Sequence, residues 1–133
     1  MFLRTLLTAF YFFVDIVGDS HIGLTHQMSH DHHIKLLFQC LENKDVSSWN
    51  QFAKETTDII KLRECNFEGF NLDGIIFHNR DGRGADLYKS KFNKTKINGA
   101  IFTNSNLDNA EFINSDIVGS SFYGAHLNKS IFS

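Results

Sequence analysis

The chain has 133 residues, of which 42% are hydrophobic and 21% are charged, and its formal net charge is −2. These values fit one folded domain and exclude a disordered low-complexity chain, and the near-neutral charge argues against nucleic-acid binding by the chain as a whole. Two cysteines are too few for a disulfide framework or a four-thiolate zinc site, whereas 14 phenylalanines indicate a large packed core.

Residues 1–18 contain an apolar run that follows Arg4 and ends at Asp15. The run is shorter than the about 20 apolar residues that a membrane-spanning helix needs, so no membrane span is predicted. Its charge and length are typical of a signal or export segment, with Gly18 as a small residue before the cleavage site. The alternatives are a buried element packed on the domain and a misassigned start codon. The protein is exported under the first interpretation and is otherwise cytoplasmic.

Residues 19–33 form a polar, linker-like segment that is rich in histidine. Neutral imidazoles bind zinc, copper or nickel, and the spacing of three of them would allow a shared metal ion. Nothing in the segment would hold a rigid set of ligands, so we predict no metal site and no cofactor. The histidines are His21, His26, His30, His32 and His33.

Residues 34–58 have the pattern of two short helices. The first has an apolar stripe at the spacing i, i+3, i+4 and i+7. Ser48 and Gln51 have the spacing of a capping box at the start of the second, whose apolar face includes Trp49 and Phe52. Such helices need a partner for their apolar faces, so we expect them to cap the rest of the domain. The stripe consists of Ile34, Leu37, Phe38 and Leu41, with Leu36 off it.

A five-residue period begins near Ile60 and continues to the last residue. Fifteen positions spaced by five, from Leu62 to Phe132, are large and apolar with the exception of Gly82, and from Ala85 on the residue two places earlier is small. Neither a helix, with a period of about 3.6, nor a strand, with a period of about 2, has this spacing. Two inward residues two apart indicate a short extended stretch, after which three outward residues turn a corner.

The large residues recur in the order Leu-Phe-Ile-Phe. All six pairs that can be compared at a separation of 20 residues between Leu87 and Phe132 are identical, and none of the seven pairs at a separation of 15 is. Four quintets therefore complete one turn, which predicts a mainly β fold: a square solenoid of just under four coils over residues 60–133. The predicted core ladders are Leu87, Leu107 and Leu127; Phe92, Phe112 and Phe132; Ile97 and Ile117; and Phe102 and Phe122.

The quintets follow the pattern A-[DN]-[LF]-x-x, as in Ala85-Asp86-Leu87, Ser105-Asn106-Leu107 and Cys65-Asn66-Phe67. In this pattern the chain resembles the pentapeptide-repeat family over residues 60–133, and residues 36–58 resemble the helical lead-in of some bacterial members. The resemblance implies a right-handed quadrilateral β-helix. It implies no single activity, since some members protect gyrase by imitating DNA while others are secreted effectors or scaffolds in peptide biosynthesis.

One quintet departs from the pattern. Residues 80–84 place Arg80 where a small residue belongs and Gly82 at a core position, yet the register resumes at Ala85 without a slip. The departure predicts a bulged or looped face. This face either has no role beyond the geometry of the coil or is a loop that carries binding residues.

The repeat offers no recognisable catalytic group. His78 and His126 lie at outward positions, and no serine or cysteine nucleophile is placed beside them. Cys65 takes an inward position of the repeat, and Cys40 lies on the first helix. A disulfide between the two cysteines would require an oxidising compartment. We therefore predict no catalytic residue and a protein that is not an enzyme.

Six of the nine basic residues of the repeat fall within 17 positions. All but the first lie at outward or looped positions, where they form either a solvated face or a basic strip that binds acidic protein, lipid headgroups or phosphate. Tyr88 and Tyr123 are outward aromatics able to anchor an interface. The predicted basic strip consists of Arg80, Arg83, Lys89, Lys91, Lys94 and Lys96.

These observations favour an interaction scaffold or bacterial effector whose partner is another protein. The alternative is a DNA-mimicking topoisomerase inhibitor or gyrase protector. A DNA mimic needs a dense negative surface, whereas residues 60–133 hold nine basic and eight acidic residues. No direct nucleic-acid binding is expected. The repeat is still in register at Phe132, so we expect either a homodimer through the C-terminal coil or a chain that is a fragment of a longer array.

Overall fold

A computed structural model of the chain describes residues 30–133. The predictions for residues 1–18, His21 and His26 lie outside this range. Two helices precede a region with few regular strands, and neither described helix is long and apolar enough to cross a bilayer. The elements are α1 (His30–Glu42), α2 (Val46–Glu55), β1 (Glu111–Phe112) and β2 (Ile131–Phe132), of which the two strands pair in parallel.

Helix α1 begins at His30, so the end of the predicted linker is helical. Leu36, expected off the apolar stripe, is buried. The reason is that the buried face of α1 is centred on His33, Leu37 and Cys40, which brings Leu36 inside it. The expected stripe residues Ile34 and Phe38 lie half-buried at the edge of this face instead.

Asp45, and not Ser48, caps the N-terminus of α2. The Asp45 carboxylate accepts a hydrogen bond from the backbone N–H of Ser48 at 3.1 Å and from its hydroxyl at 2.6 Å. Gln51 donates to Glu55 at 3.4 Å, so the capping box predicted from Ser48 and Gln51 is wrong. An aspartate at this position satisfies a free N–H and places negative charge at the positive end of the helix dipole.

Parallel backbone bridges join the repeat at fixed separations. From Asp86 onward the bridged residues are 20 apart, as in Asp86 with Asn106 and Asn106 with His126, whereas the first row joins Lys61 to Asp86, 25 residues later. Each segment joined in this way is a coil. Coil 1 comprises residues 60–79, coil 2 residues 85–104, coil 3 residues 105–124 and coil 4 residues 125–133.

The additional five residues between coils 1 and 2 are residues 80–84, which form a loop and not a face. His78 and Gly84 pair in antiparallel fashion at its base, and the Ala85 N–H donates to the carbonyl of Phe77 at 2.8 Å. The coil therefore closes without the loop. Gly82 is not a core position, which leaves fourteen quintets, or three and a half coils, where just under four were expected.

Phenylalanine rings stack through the core with the same repeat as the backbone. Phe112 lies 4.8 Å from Phe92 and 4.6 Å from Phe132, with interplanar angles of 5° and 3°. Phe102 and Phe122 form a second stack at 4.9 Å. The two stacks meet edge to face, at 90° between Phe92 and Phe102. Because neighbouring strands lie about 4.8 Å apart, one geometry satisfies both the backbone bridges and the ring stacking.

Aliphatic residues occupy the other core positions, and burial decreases toward the C-terminal end. Leu87, Leu107 and Ile97 are buried, whereas Leu127 and Ile117 are only partly buried. From Ala85 on, the small inward positions hold alanine, serine or threonine, and several of the hydroxyls donate to carbonyls of the preceding coil. Examples are Ser90 to Leu62 at 2.8 Å and Ser105 to Phe77 at 3.1 Å.

Side chains of the helices hydrogen-bond to the edge of coil 1 that faces away from coil 2. The Asn50 amide accepts from the Ile76 N–H and donates to the Gly74 carbonyl, both at 2.9 Å. The Trp49 indole N–H donates to the Ile76 carbonyl at 3.0 Å, and the Lys61 N–H donates to His33 Nδ1 at 3.1 Å. These hydrogen bonds replace the backbone partners that a preceding coil would supply. Phe52, the other predicted cap residue, is buried beside Trp49 at 5.2 Å.

Candidate interaction surface

Outward side chains stand in columns because each coil repeats the one before it. Lys91, Glu111 and Ile131 form one column through their backbone bridges, and Lys96 and Asp116 belong to another. Residues that lie 20 or 40 positions apart in the sequence are therefore neighbours on the surface. The charge and polarity of a surface patch therefore depend on which residues share a column.

The structure exposes all six residues of the predicted basic strip, but divides them between two places. Arg80 and Arg83 lie on the loop, and the four lysines lie on coil 2. Two of these lysines have a carboxylate as the next residue of their column, Glu111 after Lys91 and Asp116 after Lys96. The strip is therefore interrupted by negative charge and does not form a surface of one sign.

The loop of residues 80–84 is held by the buried side chain of Asn79. Its amide donates to two carbonyls of the connection between α2 and coil 1, at 3.0 and 3.2 Å. Its carbonyl oxygen accepts from the N–H groups of Asp81 and Arg83 at 2.9 and 3.0 Å. Because every donor of this amide has a partner, the loop is tied to the domain and presents Arg80 and Arg83 to solvent from a fixed base.

Gly84 is required at the base of the loop because coil 2 approaches it closely. A β-carbon at this position would overlap the backbone carbonyl of Asn104. The Asn104 amide in turn donates to the Gly82 carbonyl at 3.1 Å. The departure of this quintet from the repeat is thus part of a specific contact between the loop and coil 2.

The two predicted aromatic anchors differ in availability. The Arg63 guanidinium lies 4.5 Å above the Tyr88 ring and 3.3 Å from the carboxylate of Asp86, so Tyr88 is partly covered by its own chain. Tyr123 is 78% exposed, and Val118 on the same coil is 75% exposed. Sequence reasoning missed Val118. The signal available in the sequence was an apolar residue at a position that holds aspartate or asparagine in the preceding coils.

The thiols of Cys40 and Cys65 are buried and are poor nucleophiles. Burial raises the pKa of Cys65 to about 12, and burial together with the nearby Asp45 carboxylate raises the pKa of Cys40 to about 12. Both groups are free thiols and stay protonated at neutral pH, where a thiolate would be needed for nucleophilic attack. His126 is exposed, and His78 Nδ1 lies 2.9 Å from the carbonyl of Asn79.

A groove of about 570 Å³ lies between the turn that joins α1 to α2 and coil 1. Its apolar lining includes Leu41 and Phe70, and its charged lining includes Glu42, Lys44 and Asp73. The mixture of signs favours no single class of ligand. Among residues 30–133, no group of three or more His, Cys, Asp or Glu side chains could hold a metal ion.

The five-residue period, the stacked coils and the columns of outward side chains define the class as a repeat protein. The sequence model of the pentapeptide repeats matches residues 60–104 and 97–133, with eight copies. The chain therefore belongs to the pentapeptide-repeat family, which confirms the resemblance seen in its quintets. No curated protein shows significant similarity to the chain.

Proposed function

We propose that this protein is a non-enzymatic interaction scaffold or bacterial effector module that binds another protein through the outer faces of its repeat. The observation that carries the proposal is the exposure of Tyr123 and Val118 on coil 3, whose inner side is packed by the phenylalanine stacks. Tyrosine is among the residues that most often anchor protein interfaces, and Val118 adds exposed apolar surface on the same coil. Membership of the pentapeptide-repeat family, whose members commonly bind proteins, supports the same function.

For the repeat itself we propose a right-handed quadrilateral β-helix. Four inward core residues in each 20-residue coil support four sides, as in Leu87, Phe92, Ile97 and Phe102 of coil 2. Family membership supports the right-handed sense. In such a scaffold the flat outer sides carry the binding residues, because the interior is filled by side chains.

The competing function is inhibition or protection of a topoisomerase by imitation of DNA. A DNA mimic must repeat negative charge along its length, because duplex DNA carries about one charge per 1.7 Å. In the columns described above, carboxylates instead follow lysines, as in Lys91 with Glu111. A gyrase supercoiling assay separates the two functions, since only the DNA mimic is expected to change the rate of supercoiling.

Site-specific crosslinking is the direct test of the protein-binding surface. A photoreactive phenylalanine analogue placed at Val118 or Tyr123 is expected to crosslink one and the same partner protein in the native host. The matched control carries the analogue at Asn128, which is also exposed but lies on coil 4. Crosslinks of equal yield from all three positions, or from none, would contradict the assignment of this surface.

We also propose that a second copy of the chain covers the end of coil 4. Ile131 is 48% exposed and Phe132 is 43% exposed, and one face of the Phe132 ring stacks on Phe112. In the described part of the chain no coil pairs with the outer edge of coil 4, which leaves apolar surface and backbone groups open to another edge. A two-fold dimer would bury both copies of this surface.

The dimer predicts a specific loss on substitution. Phe132→Asp should abolish self-association while retaining the circular dichroism spectrum, because a charge would be buried without a partner at the interface. Val118→Asp introduces the same charge away from this edge and should leave association unchanged. Sedimentation of the wild-type protein as a monomer at high micromolar concentration would rule out the dimer.

A further inference from the structure

We infer a binding niche for an acidic peptide at the corner where coils 2, 3 and 4 meet, which deepens the proposed protein-binding function and rests on it. The niche has a volume of about 290 Å³. Three of its lining residues are lysines, and they come from coil 2 and coil 4. The lining consists of Lys89, Lys91, Asn109, Glu111, Lys129 and Ile131.

The stacking of coils brings the lysines together. Lys89, Asn109 and Lys129 occupy the same position in successive coils, and all three have a positive φ near 60°. The Lys89 N–H donates to coil 3 at 3.0 Å and the Asn109 N–H donates to coil 4 at 2.8 Å, so the three form one column. Two coil steps separate Lys89 from Lys129, or about 10 Å. Lys91 lies in the adjacent column, between Asn66 and Glu111, and also lines the niche.

The positive charge of the niche is not neutralised by the described part of the chain. Glu111 is the one carboxylate in the lining, and its Oε1 accepts a hydrogen bond from the Asn93 amide at 3.0 Å. The carbonyl oxygen of the same amide accepts from the Ile113 N–H at 2.8 Å, which fixes its orientation. No ion pair to Lys89, Lys91 or Lys129 is present among residues 30–133.

Lys89 is also held near the niche by its neighbour. Its ammonium lies 5.4 Å from the centre of the Tyr88 ring, where the face of the ring attracts a cation. Three ammonium groups and one carboxylate give the niche a local charge of about +2, which favours carboxylate ligands. A site with cations already in place needs less ordering of side chains on binding.

The surroundings favour an acidic peptide over other anions. Ile131 contributes a half-exposed apolar side chain to the rim, which suits a peptide that carries an apolar residue beside its carboxylates. Inorganic phosphate would use the lysines but gain nothing from Ile131.

Fluorescence anisotropy with the full chain tests the niche. The probe is a fluorescein-labelled peptide with the sequence Gly-Glu-Glu-Leu-Glu-Glu-Gly, and the control peptide has glutamine at each glutamate. The double variant Lys89→Asn and Lys129→Asn is expected to weaken binding of the acidic peptide about tenfold, because it removes two of the three ammonium groups that line the niche. Asn109 already occupies the same corner between these residues, so asparagine is compatible with the fold.

The matched control is the double variant Lys94→Asn and Lys96→Asn, which removes the same amount of charge from coil 2 outside the niche. It is expected to weaken binding less than twofold. An equal loss from both double variants would overturn the niche and leave only a general effect of charge. Failure of the wild-type protein to bind the peptide, or equal displacement by inorganic phosphate or a single-stranded oligonucleotide at the same charge concentration, would also overturn it.

The test of the niche and the test of the proposed interaction surface are independent of each other. Crosslinking from Tyr123 and Val118 reports on residues outside the lining of the niche, and peptide binding reports on the lysines alone. Failure of the wild-type protein to bind the peptide, with crosslinks from Tyr123 and Val118 retained, would therefore reject the acidic ligand and keep the scaffold function.

Discussion

Replacement of Phe112 by alanine is expected to lower the free energy of unfolding by about 3–5 kcal/mol. Phe112 is 1% exposed and lies between the rings of Phe92 and Phe132 at 4.8 and 4.6 Å. It also meets Phe102 and Phe122 edge to face at 5.9 and 5.8 Å. The truncation removes contacts with four rings, and the backbone bridges on both sides of coil 3 prevent the cavity from collapsing. Urea unfolding followed by circular dichroism measures the change.

Phe132→Ala, compared at a protein concentration at which the proposed dimer is dissociated, is the matched control for this experiment. Phe132 stacks on Phe112 but is 43% exposed, so its truncation removes less buried surface and leaves no enclosed cavity. We expect a cost below about 2 kcal/mol. Equal costs at the two positions would show that Phe112 does not lie inside the stack of rings.

Deletion of residues 31–58 is expected to convert the repeat into an insoluble or aggregating protein. The deletion uncovers the edge of coil 1, where Ile76 and Lys61 otherwise hydrogen-bond to side chains of the helices. An open edge with free N–H and C=O groups pairs with other chains. Size-exclusion chromatography and circular dichroism provide the measurement. A soluble, monomeric product that retains its β signal would refute the capping role of the helices.

A point variant separates the loss of edge hydrogen bonds from the loss of buried surface. Asn50→Ala removes both bonds to the edge of coil 1 and is expected to destabilise the protein by about 1–2 kcal/mol. Gln51→Ala, on the next residue of α2, removes one exposed hydrogen bond to Glu55 and should cost less than about 0.5 kcal/mol. Similar costs for the two variants would indicate that Asn50 does not replace a backbone partner.

The repeat could be recognised in the sequence because it is defined by the spacing of residues that lie close together in the chain. Each inward position, such as Phe92 or Phe112, is followed after five residues by another, so the period needs no knowledge of distant contacts. Ring stacking at the strand spacing then explains why like residues recur every 20 positions. The same reasoning located the irregular quintet at residues 80–84.

The path of that quintet depended on tertiary contacts. The sequence alone does not distinguish a fifth face with Gly82 in the core from a loop that leaves the coil. The loop forms because the Asn79 side chain hydrogen-bonds both to the loop and to the connection after α2. The close approach of Asn104 to Gly84 also favours the loop. The start of α2 could not be read from the sequence either, since Asp45 and Ser48 are both good caps, and in the structure the Asp45 carboxylate accepts from the Ser48 N–H.

By itself, the sequence determined the five-residue period, the family and most of the core residues of the repeat, because each depends on the spacing of neighbouring residues. Only the tertiary structure decided which surface residues act together. The predicted basic strip grouped cations by their proximity in the sequence, whereas the candidate niche joins Lys89 to Lys129, 40 residues later. The physical reason is that one coil consumes 20 residues and advances by about one strand spacing, so distant residues become surface neighbours.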